Sequence, residues 1–258
     1  MFKFYISFYI VITTLSCKEN NIKYAKINAN IPTVLVSKED IPKDTLKITK
    51  KFVLGKFNYR NNEAFVKVKS AHSSKTIYLQ KETYKYLVEM FAAAKKAGVH
   101  LKVLSGTRNF YEQKAIWERK WEKYKKLEPL ERSKKILEYS SMPTTSRHHW
   151  GTDVDLNNFE NAYFETGKGL KEYQWLITNA NDFGFYQVYT SKKNGRTGYK
   201  EEKWHWTYLP LAKKYLSYYN KNITYEDING FKGANLAIEN QMIVNYVNGV
   251  SDKILSGI

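Results

Sequence analysis

The sequence predicts an α+β fold. Of its 258 residues, 43% are hydrophobic and 26% are charged, which is typical of a globular domain and not of a disordered chain. Stretches whose apolar residues fall on one helical face are separated by short apolar runs of strand character. Helices and strands therefore share one domain of ordinary size.

Helices are predicted where apolar residues recur at helical spacing. The clearest helix covers residues 82–98, ETYKYLVEMFAAAKKAG. Its Leu87 and Phe91 share one face, and Gly98 provides a stop signal. Further helices are predicted over residues 109–127, 128–140 and 170–185.

Strands are predicted from short apolar runs. Residues 99–106, VHLKVLSG, follow the first helix as a buried strand, and residues 185–190, FYQVYT, follow the last one. The alternating stretches 51–60 and 64–70 predict strands or an ordered lead-in to the domain.

The first 17 residues have the pattern of an export signal. One lysine is followed by an apolar run, Phe4 to Ile12, that is too short for a membrane span. Cys17, the only cysteine, follows a small residue and resembles the lipidated cysteine of a bacterial lipoprotein signal. A plain secretory signal and an N-terminal anchor are the alternatives. In each case the protein is exported to the periplasm or cell envelope, and its body has no thiol for nucleophilic catalysis.

The chain is expected to have four parts. Residues 1–17 form the signal, and the polar residues 18–48 form a tether. Residues 49–218 form the folded domain, and residues 219–258 form a C-terminal tail of unknown role.

The chain carries a formal net charge of +17. Such a charge suits nucleic acid and equally suits an anionic surface such as an acidic cell-wall polymer. Charge governs encounter and solubility, so the chemistry has to be inferred from particular residues.

The stretch SRHHWGTDVD, residues 146–155, has six residues between His148 and Asp155. Farther along, EEKWHW provides His205 three positions after Glu202. Two histidines and one carboxylate leave a coordination position open, as catalytic zinc requires. A second carboxylate beside the metal then serves as general base.

The same stretch leaves two choices of ligand open. If residues 153–155 are extended, Asp153 and Asp155 point to the same face, so either reaches the metal. The spacing favours Asp155, with Asp153 orienting a ligand histidine from behind. His148 is favoured over His149, because neighbours on a strand point apart.

In combination, these residues resemble the zinc D-alanyl-D-alanine carboxypeptidases and dipeptidases of the bacterial cell wall, the VanY-like peptidases of family M15. The resemblance covers Leu79 to Tyr208. The family pattern Ser–x–His–x–x–Gly–x–Ala–x–Asp falls on Ser146, His148, Gly151 and Asp155, with Asp153 at the alanine position.

Two further family patterns carry the resemblance. The family's Glu–x–Trp–His falls on Glu202, Trp204 and His205. Its arginine segment falls on SGTRN, which contains Arg108, and Gln113 follows at the family's glutamine.

The resemblance implies a role for each of these positions. It implies that one Zn²⁺ is bound by His148, Asp155 and His205. Glu202 is the implied base, and Arg108 stabilises charge on the carbonyl oxygen. Substrate contacts are expected for Ser146 and Gln113, and supporting contacts behind the ligands for Asp153 and Trp204.

The resemblance also implies a hedgehog/DD-peptidase-like fold for residues 49–218, with a small antiparallel sheet carrying the zinc site. The implied partners are peptidoglycan stem peptides and, through Cys17, a membrane; no nucleic acid is expected. Carboxypeptidase, dipeptidase and endopeptidase activities all remain open.

Two other functions compete with this one. The first is a secreted basic metal-dependent nuclease, and the second is a non-catalytic, zinc-containing cell-wall-binding lipoprotein. Other hydrolase motifs are absent from the sequence: it has no His–Glu–x–x–His, no Ser–x–x–Lys and no Gly–x–Ser–x–Gly.

Overall fold

Short antiparallel strands pair in two groups. A computed structural model describes residues 47–256, apart from the side chain of Asn194. The strands of this part are β1 (Phe65–Lys67), β2 (Tyr78–Gln80), β3 (Val103–Ser105), β4 (Asp153–Leu156), β5 (Phe185–Gln187) and β6 (His205–Tyr208). β1 pairs with β2, and the other strands form one sheet in the order β3-β4-β6-β5, with every pair antiparallel.

Helices surround these strands. They are α1 (Lys50–Val53), α2 (Lys81–Lys96), α3 (Phe110–Lys123), α4 (Pro129–Ile136), α5 (Gly167–Asn179), α6 (Leu209–Asn222) and α7 (Asp252–Leu255). The predicted α+β class is confirmed by this mixture of helices and a small antiparallel sheet. None of the helices within residues 47–256 has the length and apolar content of a membrane span.

The two central strands, β4 and β6, bring the polar stretches of the sequence together. Asp155 lies directly opposite His205 in their register, and Asp153 lies opposite Thr207. Side chains alternate between faces along a strand, so the two aspartates share one face. Val154 lies between them on the other face and is fully buried in the core.

A 3₁₀ turn, Arg147–Trp150, leads into β4 and ends at Gly151. Gly151 has φ +72°, a left-handed conformation that glycine adopts without strain. A Cβ there would come within 2.4 Å of the Phe65 ring. The turn therefore needs glycine for both its backbone angle and its close packing, and it sets the position of His148.

α3 begins with a capping box, in which Asn109 and Glu112 each bond to the other's backbone N–H. Its Trp117 is fully buried and donates to the carbonyl oxygen of Lys232 at 2.8 Å. This contact attaches the C-terminal segment to the domain.

Residues 223–256 pack onto the domain through buried side chains that include Ile228, Met242 and Ile254. The backbone N–H of Ser251 donates to the carbonyl oxygen of Val188 at 2.9 Å. We call residues 188–199 the cleft-wall loop. Arg196 in this loop is buried, and its guanidinium donates to the carbonyl oxygens of Thr190, Thr197, Tyr199 and Gly249.

Of the two predicted alternatives for residues 51–60, the ordered lead-in holds and the strand does not. These residues contain most of α1 and the start of a 3₁₀ turn at Tyr59–Asn61. The side chain of Thr49 caps α1. Phe52 and Val53 are consecutive and both buried, which a half-exposed strand does not allow. The predicted signal, Cys17 and residues 18–46 of the tether lie outside the described residues.

Candidate active site

Three side chains converge at one end of the central strands. Ligand atoms of His148, Asp155 and His205 all lie within 4.8 Å of one another. His148 Nε2 is 3.3 Å from Asp155 Oδ2, and His205 Nδ1 is 3.7 Å from Asp155 Oδ1. All three residues are buried, with at most 5% of their surface exposed.

The outer nitrogen of His148 is held by the backbone. Its Nδ1–H donates to the carbonyl oxygen of Gly106 at 2.8 Å, which leaves the Nε2 lone pair directed towards Asp155. Burial and, next, the charge of Arg108 lower the pKa of His148 below its usual value. The imidazole is therefore neutral at pH 7, the state in which histidine binds a metal.

His205 is held between two carboxylates. Its Nε2–H donates to Asp153 at 2.9 Å, and its Nδ1–H donates to Glu202 at 3.0 Å. Burial alone would lower the pKa of His205, but the hydrogen bonds to Asp153 and Glu202 outweigh it and raise the pKa to about 10. Without a metal ion, His205 is therefore protonated, and its Nδ1–H places positive charge beside Asp155.

This donor set fits a zinc ion. Two imidazoles and one carboxylate are the protein ligands of a catalytic zinc site with one open position. Each ligand histidine usually donates its other N–H to a carbonyl or a carboxylate. His148 meets this requirement through Gly106, and His205 meets it through Asp153. His148, Asp155 and His205 are therefore the candidate metal ligands.

Asp153 lies behind His205 and not among the three donors. Its Oδ2 accepts from Arg147 Nε at 3.0 Å as well as from His205. Its Oδ1 accepts from the hydroxyls of Thr152 at 2.9 Å and Thr207 at 2.6 Å. Despite complete burial, the charges of Arg147 and His205 hold the pKa of Asp153 far below its usual range.

His149 is fully engaged elsewhere. Its Nδ1–H donates to the carbonyl oxygen of Arg108 at 2.7 Å, and its Nε2 accepts from the backbone N–H of Thr144 at 3.2 Å. Burial lowers the pKa of His149 to about 3. Both nitrogens of His149 are used by the backbone, so it fixes the shape of the turn.

Glu202 and Arg108 lie beside the candidate ligands. Glu202 is 4% exposed, and burial raises the pKa of its carboxyl group above the usual value. Arg108 Nη1 is 3.9 Å from Asp155 Oδ2, and its Nε donates to Gln113 at 3.0 Å. The amide of Gln113 donates in turn to the carbonyl oxygen of Ser141 at 2.8 Å. Gln113 thereby fixes the direction of Arg108.

The candidate ligands open into a cleft of about 780 Å³. One wall is aromatic: the ring of Trp204 lies 6.1 Å from that of Tyr139 and 6.4 Å from that of Phe159. Basic side chains of α3, among them Lys120, line the cleft as well. The cleft is therefore wide enough for a peptide and presents both apolar and cationic surface.

Two residues predicted near the site have other surroundings. Ser146 is 1% exposed, does not line the cleft, and its hydroxyl has no hydrogen-bond partner among residues 47–256. Trp204 lies in the aromatic wall and forms no hydrogen bond to a candidate ligand in the described part of the chain. Substrate binding by Ser146 and support of the ligands by Trp204 stay predictions.

The structure adds residues that the sequence did not single out. Arg147, 1% exposed, is the buried cation that Asp153 requires, and Thr207 is its hydroxyl partner. Tyr189, in the cleft-wall loop, packs edge-on against His205 with ring centroids 4.9 Å apart. Arg147 belongs to the stretch SRHHWGTDVD, residues 146–155. Two aspartates within an apolar strand of that stretch indicate that a buried cation is needed nearby.

Comparison with known proteins identifies the family. The family model described as "VanY: D-alanyl-D-alanine carboxypeptidase" matches residues 76–211, which is more than half of the chain. The chain belongs to the VanY family. This match contains every candidate ligand, and it confirms the family predicted from the sequence.

Individual VanY relatives agree with this assignment. The chain is 34% identical over 128 residues to a D-alanyl-D-alanine carboxypeptidase of Enterococcus faecalis, over 49% of this chain and 46% of that protein. It is 28% identical over 136 residues to a D-alanyl-D-alanine carboxypeptidase of Enterococcus faecium, over 52% and 39% of the two chains. The matched part is thus less than half of each relative's length.

Among solved structures, the LdcB LD-carboxypeptidase is similar in fold. It has a TM-score of 0.50 and 26% sequence identity, over 66% of this chain and 77% of that chain. Its structure is described as revealing the molecular basis of peptidoglycan recognition.

Proposed function

We propose that this protein is a zinc-dependent peptidase that hydrolyses the terminal D-Ala–D-Ala bond of peptidoglycan stem peptides. One observation carries the proposal: the ligand atoms of His148, Asp155 and His205 converge within 4.8 Å in a cleft that Glu202 and Arg108 also line. This set contains three metal ligands, a base and a cation, which are the parts that metal-assisted peptide hydrolysis needs.

The roles follow from position and charge. His148, Asp155 and His205 would hold the zinc ion, which would supply Lewis acidity to a water molecule and to the scissile carbonyl. Glu202 accepts the proton of the attacking water and donates it to the leaving amine. Its raised pKa lies closer to neutral pH than that of an ordinary glutamate, as suits a general base. Arg108 stabilises the negative charge that develops on the carbonyl oxygen.

The substrate is proposed from the relatives. Both Enterococcus proteins are named D-alanyl-D-alanine carboxypeptidases, and the LdcB structure is described in terms of peptidoglycan recognition. A cleft of about 780 Å³ with an aromatic wall suits a short peptide. Nuclease and pure binding functions lack a comparable observation in their favour.

The test is release of D-alanine from a pentapeptide that ends in D-Ala–D-Ala. We expect release with zinc, none with a chelator, and a loss of at least about 100-fold in kcat for Glu202→Gln. Glu201→Gln, its neighbour in sequence, is the matched control and should keep full activity. Release that survives Glu202→Gln would contradict the assigned base. A tetrapeptide arm separates a preference for the D-Ala–D-Ala bond from one for the bond before it.

The location of the protein is part of the proposal. We propose that residues 1–17 direct export and that Cys17 carries a lipid that anchors the protein to a membrane, with residues 18–48 as its tether. The support is the sequence pattern around the only cysteine. Cys17→Ala should move the exported protein from the membrane fraction to the soluble fraction. Membrane association unchanged by Cys17→Ala would refute the anchor.

A further inference from the structure

Lys120 on α3 lines the cleft and has no counter-ion in the part of the chain that the structure describes. Its Nζ donates to the hydroxyl of Ser140, and no carboxylate within residues 47–256 lies within ion-pairing distance of it. Two other basic residues of the cleft lining, Lys75 and Arg119, also have no ion pair within residues 47–256, but both are exposed. Lys120 differs from them in being partly buried with only a neutral hydrogen-bond partner.

The surroundings of Lys120 favour a bound anion. Burial lowers the pKa of its ammonium group, whereas the charge of Glu202 acts in the opposite direction. A partly desolvated cation is stabilised most by an anion that approaches it directly. Ser140 accepts from Lys120 and is 8% exposed, so its own O–H is available to donate. The pair thus presents an N–H and an O–H donor to one group in the cleft.

The position on α3 indicates which group this is. Lys120 follows Gln113, the residue that holds Arg108, by seven positions, which is two helical turns or about 10 Å along the axis. An extended peptide covers that distance in about three residues. The carboxyl terminus of a carboxypeptidase substrate lies only one residue beyond the scissile bond. The distance therefore favours a carboxylate on an interior residue.

We infer that Lys120 and Ser140 form a subsite for a free carboxylate on a substrate residue two or three positions before the scissile bond. The inference rests on the proposed peptidase function, and it adds a substrate class: stem peptides in which that carboxylate is not amidated. Because Lys120 contacts no candidate metal ligand, the subsite contributes to specificity and not to the hydrolytic step.

The test compares matched pentapeptides with diaminopimelic acid at the third residue, its free carboxylate either intact or converted to the amide. A second pair differs only by amidation of the carboxylate on the second residue, and a third only by amidation of the carboxyl terminus. For wild type we expect kcat/KM to be about 10-fold or more higher for the acid in one of the first two pairs. In Lys120→Met the acid should fall to the rate of the amide.

Two variants on the same surface sharpen the result. Lys123→Met, one turn farther along α3 and outside the cleft lining, should keep the wild-type ratio. Lys120→Arg should retain part of it. Equal acid-to-amide ratios in wild type and Lys120→Met would overturn the subsite, and so would an effect confined to amidation of the carboxyl terminus.

Binding is measured alongside turnover, so that the two proposals can fail separately. Calorimetry gives the Kd of the product tetrapeptide in its acid and amide forms, for wild type and for Lys120→Met. If the wild-type protein cleaves none of the pentapeptides, the proposed peptidase function is refuted. The ratio of the amide Kd to the acid Kd then tests the subsite by itself, and it should be about 10 in wild type and about one in Lys120→Met.

Discussion

Replacing Asp153 with asparagine removes a charge from a completely buried position. The carboxylate accepts four hydrogen bonds: from His205, Arg147, Thr152 and Thr207. Asparagine keeps the shape of the side chain but has one acceptor oxygen and no charge. Arg147 then loses its only carboxylate partner among the described residues, and it is 1% exposed.

The expected magnitude follows from that burial. Removing one partner of a buried ion pair typically lowers the free energy of unfolding by about 3–5 kcal/mol, because the other charge stays uncompensated. Arg147 Nη1 already has no partner within residues 47–256, so no alternative acceptor is in place. Loss of the carboxylate behind His205 should also weaken zinc binding about 10- to 100-fold.

Two measurements check this prediction. Chemical denaturation in the presence of chelator gives the change in the free energy of unfolding, and competition with a chromophoric chelator gives the zinc affinity. The exposed Asp182→Asn is the matched control and should change neither. The double variant Arg147→Met with Asp153→Leu should regain most of the stability but not the zinc affinity, because no charge is left unpaired and His205 still lacks its carboxylate.

A loss of less than about 1 kcal/mol in Asp153→Asn would refute the buried ion pair as described. Unchanged zinc affinity in both variants would refute the role of Asp153 in orienting His205. The two results are independent, because stability reports on the ion pair with Arg147 and zinc affinity reports on the orientation of His205.

Three further changes test other parts of the structure. Gly151→Ala should lower the free energy of unfolding by about 1–3 kcal/mol, measured by denaturation, since the backbone is left-handed and the new Cβ meets Phe65; a neutral result would contradict the turn geometry. In metal-free protein, the pKa of Asp155 is about 2, below its usual 3.8, so the ionised carboxylate contributes about 2 kcal/mol to the free energy of unfolding above pH 3.8. This contribution is lost as the pH falls towards 2. Denaturation across that range should show the loss, and Asp155→Asn should reduce the dependence of stability on pH. Arg196→Met should increase hydrogen exchange in the cleft-wall loop and around Gly249, and unchanged exchange would count against the loop's attachment.

The parts of the fold that follow local patterns were predictable. Helical spacing predicted a helix over residues 82–98, and α2 covers Lys81–Lys96. The apolar run before Gly106 contains β3, as predicted. The local structure of residues 51–60 was not predictable, because their apolar residues are consecutive and buried by segments distant in sequence. Short apolar runs do not distinguish a helical turn from a strand without that information.

The candidate site also contains some residues that local sequence patterns predict and others that depend on the folded structure. Spacing made His148 and His205 candidates for metal binding, and the resemblance to the VanY-like peptidases assigned them as ligands, since the pattern lies within two short stretches. The place of Asp153 behind His205 depends on the pairing of β4 with β6, which no local pattern contains. The buried partner of Asp153 was missed for a related reason: a lone arginine in a turn is ordinarily solvated, and only the folded chain encloses Arg147.

Zinc titration of the metal-free protein shows whether His148, Asp155 and His205 hold one zinc ion. We expect one zinc per chain and displacement of the proton on His205 as the ion binds. His148→Gln should weaken binding by several orders of magnitude, whereas the exposed His100→Gln should bind as wild type does. No bound zinc, or equal affinity in His148→Gln and wild type, would contradict the site.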